Sequence, residues 1–272
     1  MKGTKFREDM KMKKFGIEIE CFSKKISREG LAEELLLVGI PTVVANRTTQ
    51  SNQWKIVRDG SIYAPSSDYF AMEVVSPPLK GSDGIRQIEA VCQVLEQFEF
   101  QVNTTCGFHV HIEVGSLRTE DLVRLYKFYG HFEASVIDNL MPRSRRGSTN
   151  QYCQSIRCFP WKFDYVTTWK SLSQVFHRSR YLKVNIEAYG RHGTVEFRQH
   201  SGTVEAEKII NWMQIVQAMV RVSTNRDLDP DQDSLRAFIN ELQPFLQPET
   251  IQYIVDRYNY FTQGEGRYEV CA

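Results

Sequence analysis

Acidic and imidazole side chains alternate with apolar residues in short stretches of this sequence that are otherwise typical of strands. Glu18 and Glu20 stand on either side of Ile19, and Ile17 precedes them. Side chains two residues apart in a strand share one face, so the two glutamates project together, opposite the isoleucines. For this strand alone, a half-exposed sheet with a solvated acidic face is the favoured explanation.

The same alternation recurs elsewhere in the chain. Three further stretches share it: residues 107–112 with His109 and His111, residues 194–198 with Glu196 and Arg198, and residues 71–78 with Glu73. Carboxylates crowded on one sheet face repel one another, and burying one without a partner costs several kcal/mol. A divalent cation removes that cost. We therefore expect these strands to converge on a shared polar cavity that binds metal.

The residue types also indicate which cation would bind and which reaction it would serve. Several carboxylates with an imidazole favour Mg²⁺ or Mn²⁺, whereas a set of histidines alone would suit Zn²⁺ better. Arg198 stays charged and presents a planar fork that matches a phosphate group. Carboxylates, a cation and an arginine on one face of a sheet indicate phosphoryl transfer.

The elements that must position these residues follow from hydrophobic periodicity. Strands are predicted at residues 15–22, 54–58, 70–76, 107–114, 181–188 and 193–199. Helices are predicted at residues 84–99, 120–140 and 205–221, with two more in 226–272 that are broken near Pro244 and Pro248. The polar stretch 141–163 is typical of a functional loop. Because a regular βαβ rhythm is missing, we predict an α+β fold with a largely antiparallel sheet and helices packed outside it.

Length and charge bound the class of protein. A chain of 272 residues with 42% hydrophobic residues can bury a substantial core. We expect a loose basic arm over residues 1–14 and a single catalytic domain over 15–272, with the motifs within 15–221 and a helical part at 226–272. The net charge of +1 provides no overall field that would attract nucleic acid or a membrane.

The cysteines and the apolar segments indicate a cytoplasmic protein. The six cysteines are scattered and contain no C-x-x-C pair, which argues against a disulfide framework or a zinc finger. The N-terminal stretch lacks the apolar core of a signal peptide. No apolar run approaches the roughly 20 residues that span a bilayer.

Taken in order, the motifs resemble those of the amidoligase branch of the glutamine synthetase-like superfamily, which also includes the glutamate–cysteine ligases. The resemblance rests on these segments: Glu18-Ile19-Glu20, Asp59-Gly60-Ser61, Glu73-Val74-Val75-Ser76-Pro77-Pro78, Gly107-Phe108-His109-Val110-His111, Met141-Pro142-Arg143-Ser144-Arg145 leading to Tyr152-Cys153, and Thr194-Val195-Glu196-Phe197-Arg198. It covers roughly residues 15–221, and the ordered set is far more specific than any single motif.

The resemblance implies a curved antiparallel sheet that forms a funnel, with ATP at one mouth and a carboxylate substrate at the other. It also implies individual roles: Glu18, His109 and Glu196 as ligands of the cation nearest the ATP phosphates, Glu20 and Glu73 as ligands of a second cation, Arg198 at the transferring phosphate, and His111 on the substrate side.

Several positions keep more than one interpretation. Asp59 is either a third carboxylate for the second cation or a turn residue before Gly60. We predict that Lys183 and Arg145 contact ATP together with Arg198. The substrate carboxylate has several candidate partners, each of which could instead be a solvated charge: Arg143, Arg145, Arg146, Arg180 and Arg191. Asn185 could also point into the site, and Cys106 is expected to be a buried thiol rather than a nucleophile.

The sequence thus predicts an ATP-dependent carboxylate–amine ligase that uses Mg²⁺ or Mn²⁺, forms an acyl-phosphate and releases ADP and phosphate. Its substrates would be a small-molecule or peptide carboxylate and an amine, and the sequence does not identify them or the oligomeric state. One rival is a metal-dependent hydrolase, which leaves Arg198 without a role. Another is a nucleic-acid-binding protein that uses the Arg143–Arg146 loop. ATP binding separates the ligase from both.

Overall fold

A computed structural model describes residues 12–46, 49, 51–225 and 232–264 of the chain. Most of the predicted basic arm, residues 1–11, lies outside the described residues, as does the part of the C-terminal tail after Gly264. The strands are β1 (Phe15–Ser23), β2 (Thr42–Val44), β3 (Trp54–Val57), β4 (Phe70–Val75), β5 (Phe108–Glu113), β6 (Val184–Asn185) and β7 (Thr194–Phe197).

Helices and strands are mixed along the described part of the chain. The α-helices are α1 (Arg28–Leu37), α2 (Gly81–Gln97), α3 (Thr119–Phe132), α4 (Trp169–Val175), α5 (Tyr189–His192), α6 (Ala206–Asn225), α7 (Leu235–Leu242) and α8 (Pro248–Thr262). Shorter turns of other helix types complete them: a π-helix at Glu133–Ile137 and 3-10 helices at Asp138–Leu140, Arg143–Arg145, Ile156–Cys158 and Gln243–Phe245.

The strands form an open seven-stranded sheet in the order β2-β3-β4-β1-β5-β7-β6. The pairs β1–β4, β3–β4 and β6–β7 are antiparallel, while β2 pairs with β3 in parallel. The mixed composition of helices and strands agrees with the predicted α+β class.

Several predicted elements differ in extent from the observed ones. The predicted strand 181–188 is reduced to Val184–Asn185, because the backbone on either side of Leu182 bonds to Gln154 of the loop instead. The predicted helix 120–140 is α-helical only to Phe132 and continues as π and 3-10 turns. Periodicity did not predict β2, α1, α4 or α5, which are short or weakly amphipathic.

The chain groups into two compact units, residues 1–110 with 201–210, and residues 111–200 with 211–272. In the first unit, the apolar face of β1 is fully buried, with Ile17, Ile19 and Cys21 at its centre. Ser76, which follows β4, holds this strand through its side chain and its backbone: Ile17 N–H donates to Ser76 Oγ at 2.9 Å, and Ser76 N–H donates to the Ile17 carbonyl at 2.9 Å. The single catalytic domain predicted for residues 15–272 stays a prediction.

In the second unit, the C-terminal helices close the core around the segment that follows α3. Arg257 Nε of α8 donates to the Leu140 carbonyl at 2.8 Å, and Phe238 of α7 packs against Phe128 and Phe132 of α3. Within the described part of the chain, no helix has both the length and the apolar character that crossing a lipid bilayer requires.

Candidate active site

Two glutamates face each other across β1 and β4 in the first unit. Glu20 and Glu73 are direct register partners in the antiparallel pair. They are 6% and 5% exposed, so both carboxyl groups lie in the interior. The alternation of β1 produces this arrangement, since its isoleucines occupy the opposite, apolar face. Like charges placed directly opposite in a sheet are destabilising, and the pair therefore requires compensation.

His109 of β5 completes a group with these two acids. The ligand atoms of Glu20, Glu73 and His109 all lie within 4.8 Å of one another, and all three residues are buried. Gly107 N–H donates to Glu20 Oε2 at 2.6 Å, which fixes the orientation of that carboxylate. Two carboxylate oxygens and one imidazole nitrogen at this separation form a donor set that suits a divalent cation.

Glu18 lies beside the group and contacts the imidazole. Its Oε2 lies 3.1 Å from His109 Nδ1, and its side chain is more exposed than those of Glu20 and Glu73. A carboxylate on one ring nitrogen sets the tautomer and the orientation of the imidazole, as is common for histidines that bind metal. The resemblance assigns His109 to the cation of Glu18 and Glu196, whereas within this unit it also groups with Glu20 and Glu73.

Glu196 lies on β7 in the second unit and has a different set of partners. It is buried, and its register partner on β6 is Asn185, whose Nδ2 donates to Glu196 Oε2 at 2.6 Å. Arg198 forms a salt bridge with Glu196 Oε1. His111 Nε2 lies 4.0 Å from the same oxygen. The predicted positions Asn185, Glu196, Arg198 and His111 therefore lie together.

The orientations of His111 and Arg198 are set by neighbouring groups. His111 Nδ1 lies 3.1 Å from Thr194 Oγ1, and its ring meets the His192 ring edge-on at 6.0 Å. Arg198 Nε donates to the Tyr152 carbonyl at 3.3 Å, so the loop predicted to be functional reaches the arginine. A guanidinium held next to a carboxylate keeps its charge and can bind an anion with its remaining donors.

Lys183 has a different environment from the one expected of an ATP contact. It is 0% exposed. Its Nζ donates to Glu133 Oε1 at 2.8 Å and also contacts Asp138 Oδ1. The ammonium group is therefore held by two carboxylates inside the second unit. Its predicted contact with ATP stays a prediction.

Arg145 is 3% exposed, so it is not a solvated loop charge, which was the alternative to a ligand contact. Its predicted contact with ATP stays a prediction. Arg146 lies partly buried, with Nε bonded to the Met141 carbonyl at 2.8 Å and burial lowering its pKa. Three other arginines considered for the substrate carboxylate are exposed: Arg143, Arg180 and Arg191.

Two further open positions receive structural explanations. Asp59 Oδ1 accepts from Ser61 N–H at 2.8 Å and from Ser61 Oγ at 2.7 Å, which is the pattern of a turn-stabilising aspartate. Among the described residues, it is not part of the group formed by Glu20, Glu73 and His109. Cys106 is fully buried, as expected for a packing thiol.

Sequence reasoning missed the acids that hold Lys183. Glu133 and Asp138 lie within the predicted helix 120–140, in the part that the structure shows as π and 3-10 turns. Glu133 stands four residues after Tyr129, on the apolar stripe of that helix, so its position was a signal of a buried acid. Gln199, which follows Arg198, is also completely buried and was not singled out.

Comparisons with known proteins bear on this site. The model of a family described as "Putative amidoligase enzyme" matches residues 11–220 of the chain. A search of curated proteins gave no significant match. One solved structure, described as "Crystal structure of novel glutamine synthase homolog", aligns with 97% of this chain and 71% of its own, at 12% identity and a TM-score of 0.45. The family match includes every residue assigned above to metal or phosphate.

Proposed function

Because the chain belongs to the amidoligase family, we propose that it is an ATP-dependent carboxylate–amine ligase that acts through an acyl-phosphate. The observation that carries the proposal is the buried group of Glu20, Glu73 and His109. Two acids facing each other in the interior of a sheet are costly to maintain, and a bound cation offsets that cost.

The donor set fits Mg²⁺ or Mn²⁺. Glu20 and Glu73 would hold one ion beside His109, with Gly107 N–H orienting Glu20. The family resemblance also assigns Glu18, His109 and Glu196 to a cation at the ATP phosphates, and we keep that assignment as part of the proposal. When bound, the ions would supply positive charge to the phosphoryl oxygens.

Arg198 is the proposed phosphate contact. Its guanidinium is fixed by Glu196 on one side and by the Tyr152 carbonyl on the other. A fixed cation of this kind stabilises charge that develops on the transferring phosphoryl group without having to reorganise. We assign His111 to the substrate side, where an imidazole can accept the proton that the amine loses.

The proposed reaction has two steps. A carboxylate oxygen of the substrate attacks the γ-phosphorus of ATP, the bond to the β–γ bridging oxygen breaks, and ADP leaves. The amine nitrogen then attacks the acyl carbon of the acyl-phosphate, the carbon–oxygen bond breaks, and phosphate leaves as the amine gives up a proton. The protein supplies positioning and charge and forms no covalent intermediate. The funnel-shaped sheet and a single catalytic domain belong to this proposal.

A metal-dependent hydrolase is the alternative that a specific contact favours. The pairing of Glu18 with His109 is the carboxylate–histidine arrangement that also supports zinc sites. That function has no use for ATP, and it leaves Arg198 without a phosphate to bind.

A screen for ADP release tests the proposal. Purified protein with ATP and Mg²⁺ would be offered panels of amino acids, polyamines and peptides, and the product of any stimulating pair would be identified by mass spectrometry. We expect one acid–amine pair to give an amide in equal amount to ADP. Glu73→Gln is the matched control and should give neither. Hydrolysis of a substrate without ATP consumption would favour the alternative and overturn the ligase.

A further inference from the structure

The second unit contains a buried polar cluster that the proposed chemistry does not use. We name it the anchor network; its members are Glu133, Asp138, Lys183 and Gln199. Lys183 Nζ contacts both acids, and Gln199 Nε2 donates to Asp138 Oδ1 at 2.5 Å. All of these side chains are buried. A polar cluster in such a place is retained only if its hydrogen bonds are satisfied, and it then specifies one arrangement.

The π-helix at Glu133–Ile137 brings the two acids to the same side. In an α-helix, positions five residues apart are rotated by about 140° from one another, so Glu133 and Asp138 would diverge. Here Asp138 N–H donates to the Glu133 carbonyl, the five-residue bond of a π-turn. Both carboxylates therefore reach one ammonium group. Turns of this kind are rare and occur frequently at functional sites.

The same carboxylates hold the backbone of a loop. Asp138 Oδ2 accepts from Gly147 N–H at 2.8 Å, and Glu133 Oε2 accepts from Ile156 N–H at 3.2 Å. Gln199 Nε2 also donates to the Arg145 carbonyl at 3.3 Å. The network thus binds both ends of the segment 145–156, which we name the arginine loop because of its contact with Arg198.

The arginine loop in turn contacts Arg198. Tyr152 accepts from Arg198 Nε through its carbonyl, and Cys153 Sγ donates to the Arg198 carbonyl at 3.4 Å. The main chain of Lys183 connects the arginine loop to Arg198. Its carbonyl accepts from Arg198 N–H at 2.8 Å, and its N–H donates to the Gln154 carbonyl at 2.9 Å. Each path from the network therefore ends at the backbone or the side chain of Arg198.

We propose that the anchor network is a positioning device that fixes Arg198 through the arginine loop, with Asp138 and Glu133 as its positioning residues. The role in phosphate transfer rests on the proposed function, while the placement of the guanidinium does not. A displacement of about 1 Å in a group that acts on a transition state can cost roughly 10²-fold in rate, so a remote network of this kind affects turnover.

Asp138→Asn is the decisive variant. Among the described residues, the groups that contact this carboxylate are all donors: Lys183 Nζ, Gln199 Nε2 and Gly147 N–H. The amide of Asn brings a donor of its own, so at least one of these contacts must break. Lys183 keeps Glu133 as a charge partner, which preserves the core. Glu133→Gln is the second variant should Asp138→Asn not fold, because it leaves Lys183 paired with Asp138.

Asp121→Asn is the matched control. Asp121 is a buried aspartate of the same unit that also contacts only donors, from Arg118 and Arg124 at the start of α3. Among the described residues, its partners Arg118 and Arg124 lie outside the arginine loop. A loss of stability alone would therefore affect both variants, whereas a loss of positioning would affect only Asp138→Asn.

The first measurement needs no activity. The Arg198 Nε–H signal in ¹⁵N NMR of the full chain, assigned by its loss in Arg198→Lys, reports the bond to the Tyr152 carbonyl. We expect Asp138→Asn to shift or broaden this signal and to speed amide exchange across residues 147–156, with Asp121→Asn like the wild type. An unchanged Arg198 signal in Asp138→Asn and Glu133→Gln would overturn the proposal.

The second measurement links the network to turnover. We expect Asp138→Asn to lower kcat for ADP release roughly 10- to 100-fold in the wild-type background. In the Arg198→Lys background the same substitution should lower it less than about twofold, because both changes act through one group. If Asp138→Asn lowered kcat by the same factor in both backgrounds, the two residues would act independently and the proposed coupling would be overturned. If the wild type shows no ATP-dependent activity, the proposed function fails and the NMR result still decides the positioning role.

Discussion

Each of the two units buries a pair of acids, and the group that lies next to the acids differs between the units. In the first unit, Glu20 and Glu73 face each other across two strands with His109 as their neighbour. In the second, Glu133 and Asp138 share the ammonium of Lys183, which the chain itself provides. A resident ammonium forms a closed structural site, whereas two carboxylates and an imidazole form a set of ligands.

The difference shows why burial of a charge does not identify a functional residue. Lys183 and Glu133 are among the most buried charged groups of the described residues, yet their contacts are internal to the fold. Glu20 and Glu73 of the first unit are buried to a similar degree, but the neighbouring group is an imidazole rather than an ammonium. The nature of the neighbouring group, rather than the degree of burial, separates the two sites.

The largest expected effect comes from removing the ammonium. Lys183→Met leaves Glu133 and Asp138 buried together without it, and we expect the free energy of unfolding to fall by roughly 3–5 kcal/mol. Chemical denaturation followed by circular dichroism measures this. Combining Lys183→Met with Glu133→Gln and Asp138→Asn should recover part of the loss. A Lys183→Met variant as stable as the wild type would mean that the ion pairs contribute nothing to the second unit.

Arg198→Lys should have the next largest effect, on turnover rather than on folding. The lysine keeps the charge and loses the planar fork, so kcat for ADP release should fall by about 10²- to 10³-fold while metal affinity persists. Steady-state kinetics beside calorimetry of Mg²⁺–ATP binding would measure both. In contrast, Glu196→Ala should reduce ATP binding as well as turnover. Wild-type turnover in Arg198→Lys would leave Arg198 as a structural partner of Glu196.

Metal should stabilise the first unit through its acids. At 100 times its Kd, Mn²⁺ should raise the free energy of unfolding of the wild type by about 2.7 kcal/mol, and should not do so for Glu73→Gln. Without metal, Glu73→Gln should be at least as stable as the wild type, because one of two facing charges is gone. Thermal melts with and without chelator report this.

Chelation should also stop ADP release, with Mg²⁺ or Mn²⁺ restoring it better than Zn²⁺. Activity that survives exhaustive chelation would exclude the metal site.

The smallest expected effects on stability distinguish a buried arginine from an exposed one within the predicted loop 141–163. Arg145→Ala removes a buried side chain and should cost about 1–3 kcal/mol. Arg143→Ala changes an exposed residue and should alter stability by less than about 0.5 kcal/mol. Melting curves of the two variants side by side make the comparison. An equal loss of stability in the two variants would show that the buried side chain of Arg145 does not stabilise the second unit more than an exposed one.

The sequence by itself determined the strands that carry the candidate ligands. The alternation in residues 15–22 placed Glu18 and Glu20 opposite the isoleucines, since a strand's period of two is a local property. The order of the motifs also determined the family. The same local periodicity predicted α2 and α6 closely, because an apolar stripe on one face of a helix is visible without knowledge of its partner.

Only the tertiary structure decided how the charged groups are paired. Lys183 and Asp138 are 45 residues apart in the chain, and no local pattern shows that an ammonium will meet a particular carboxylate. The π-turn that aligns Glu133 with Asp138 depends on the same long-range contact, so an extended α-helix was predicted in its place. Arg145 and Lys183 were predicted to contact ATP, and no local pattern indicated that both side chains are buried. Burial is a property of the packed chain, and packing determined that both belong to the interior.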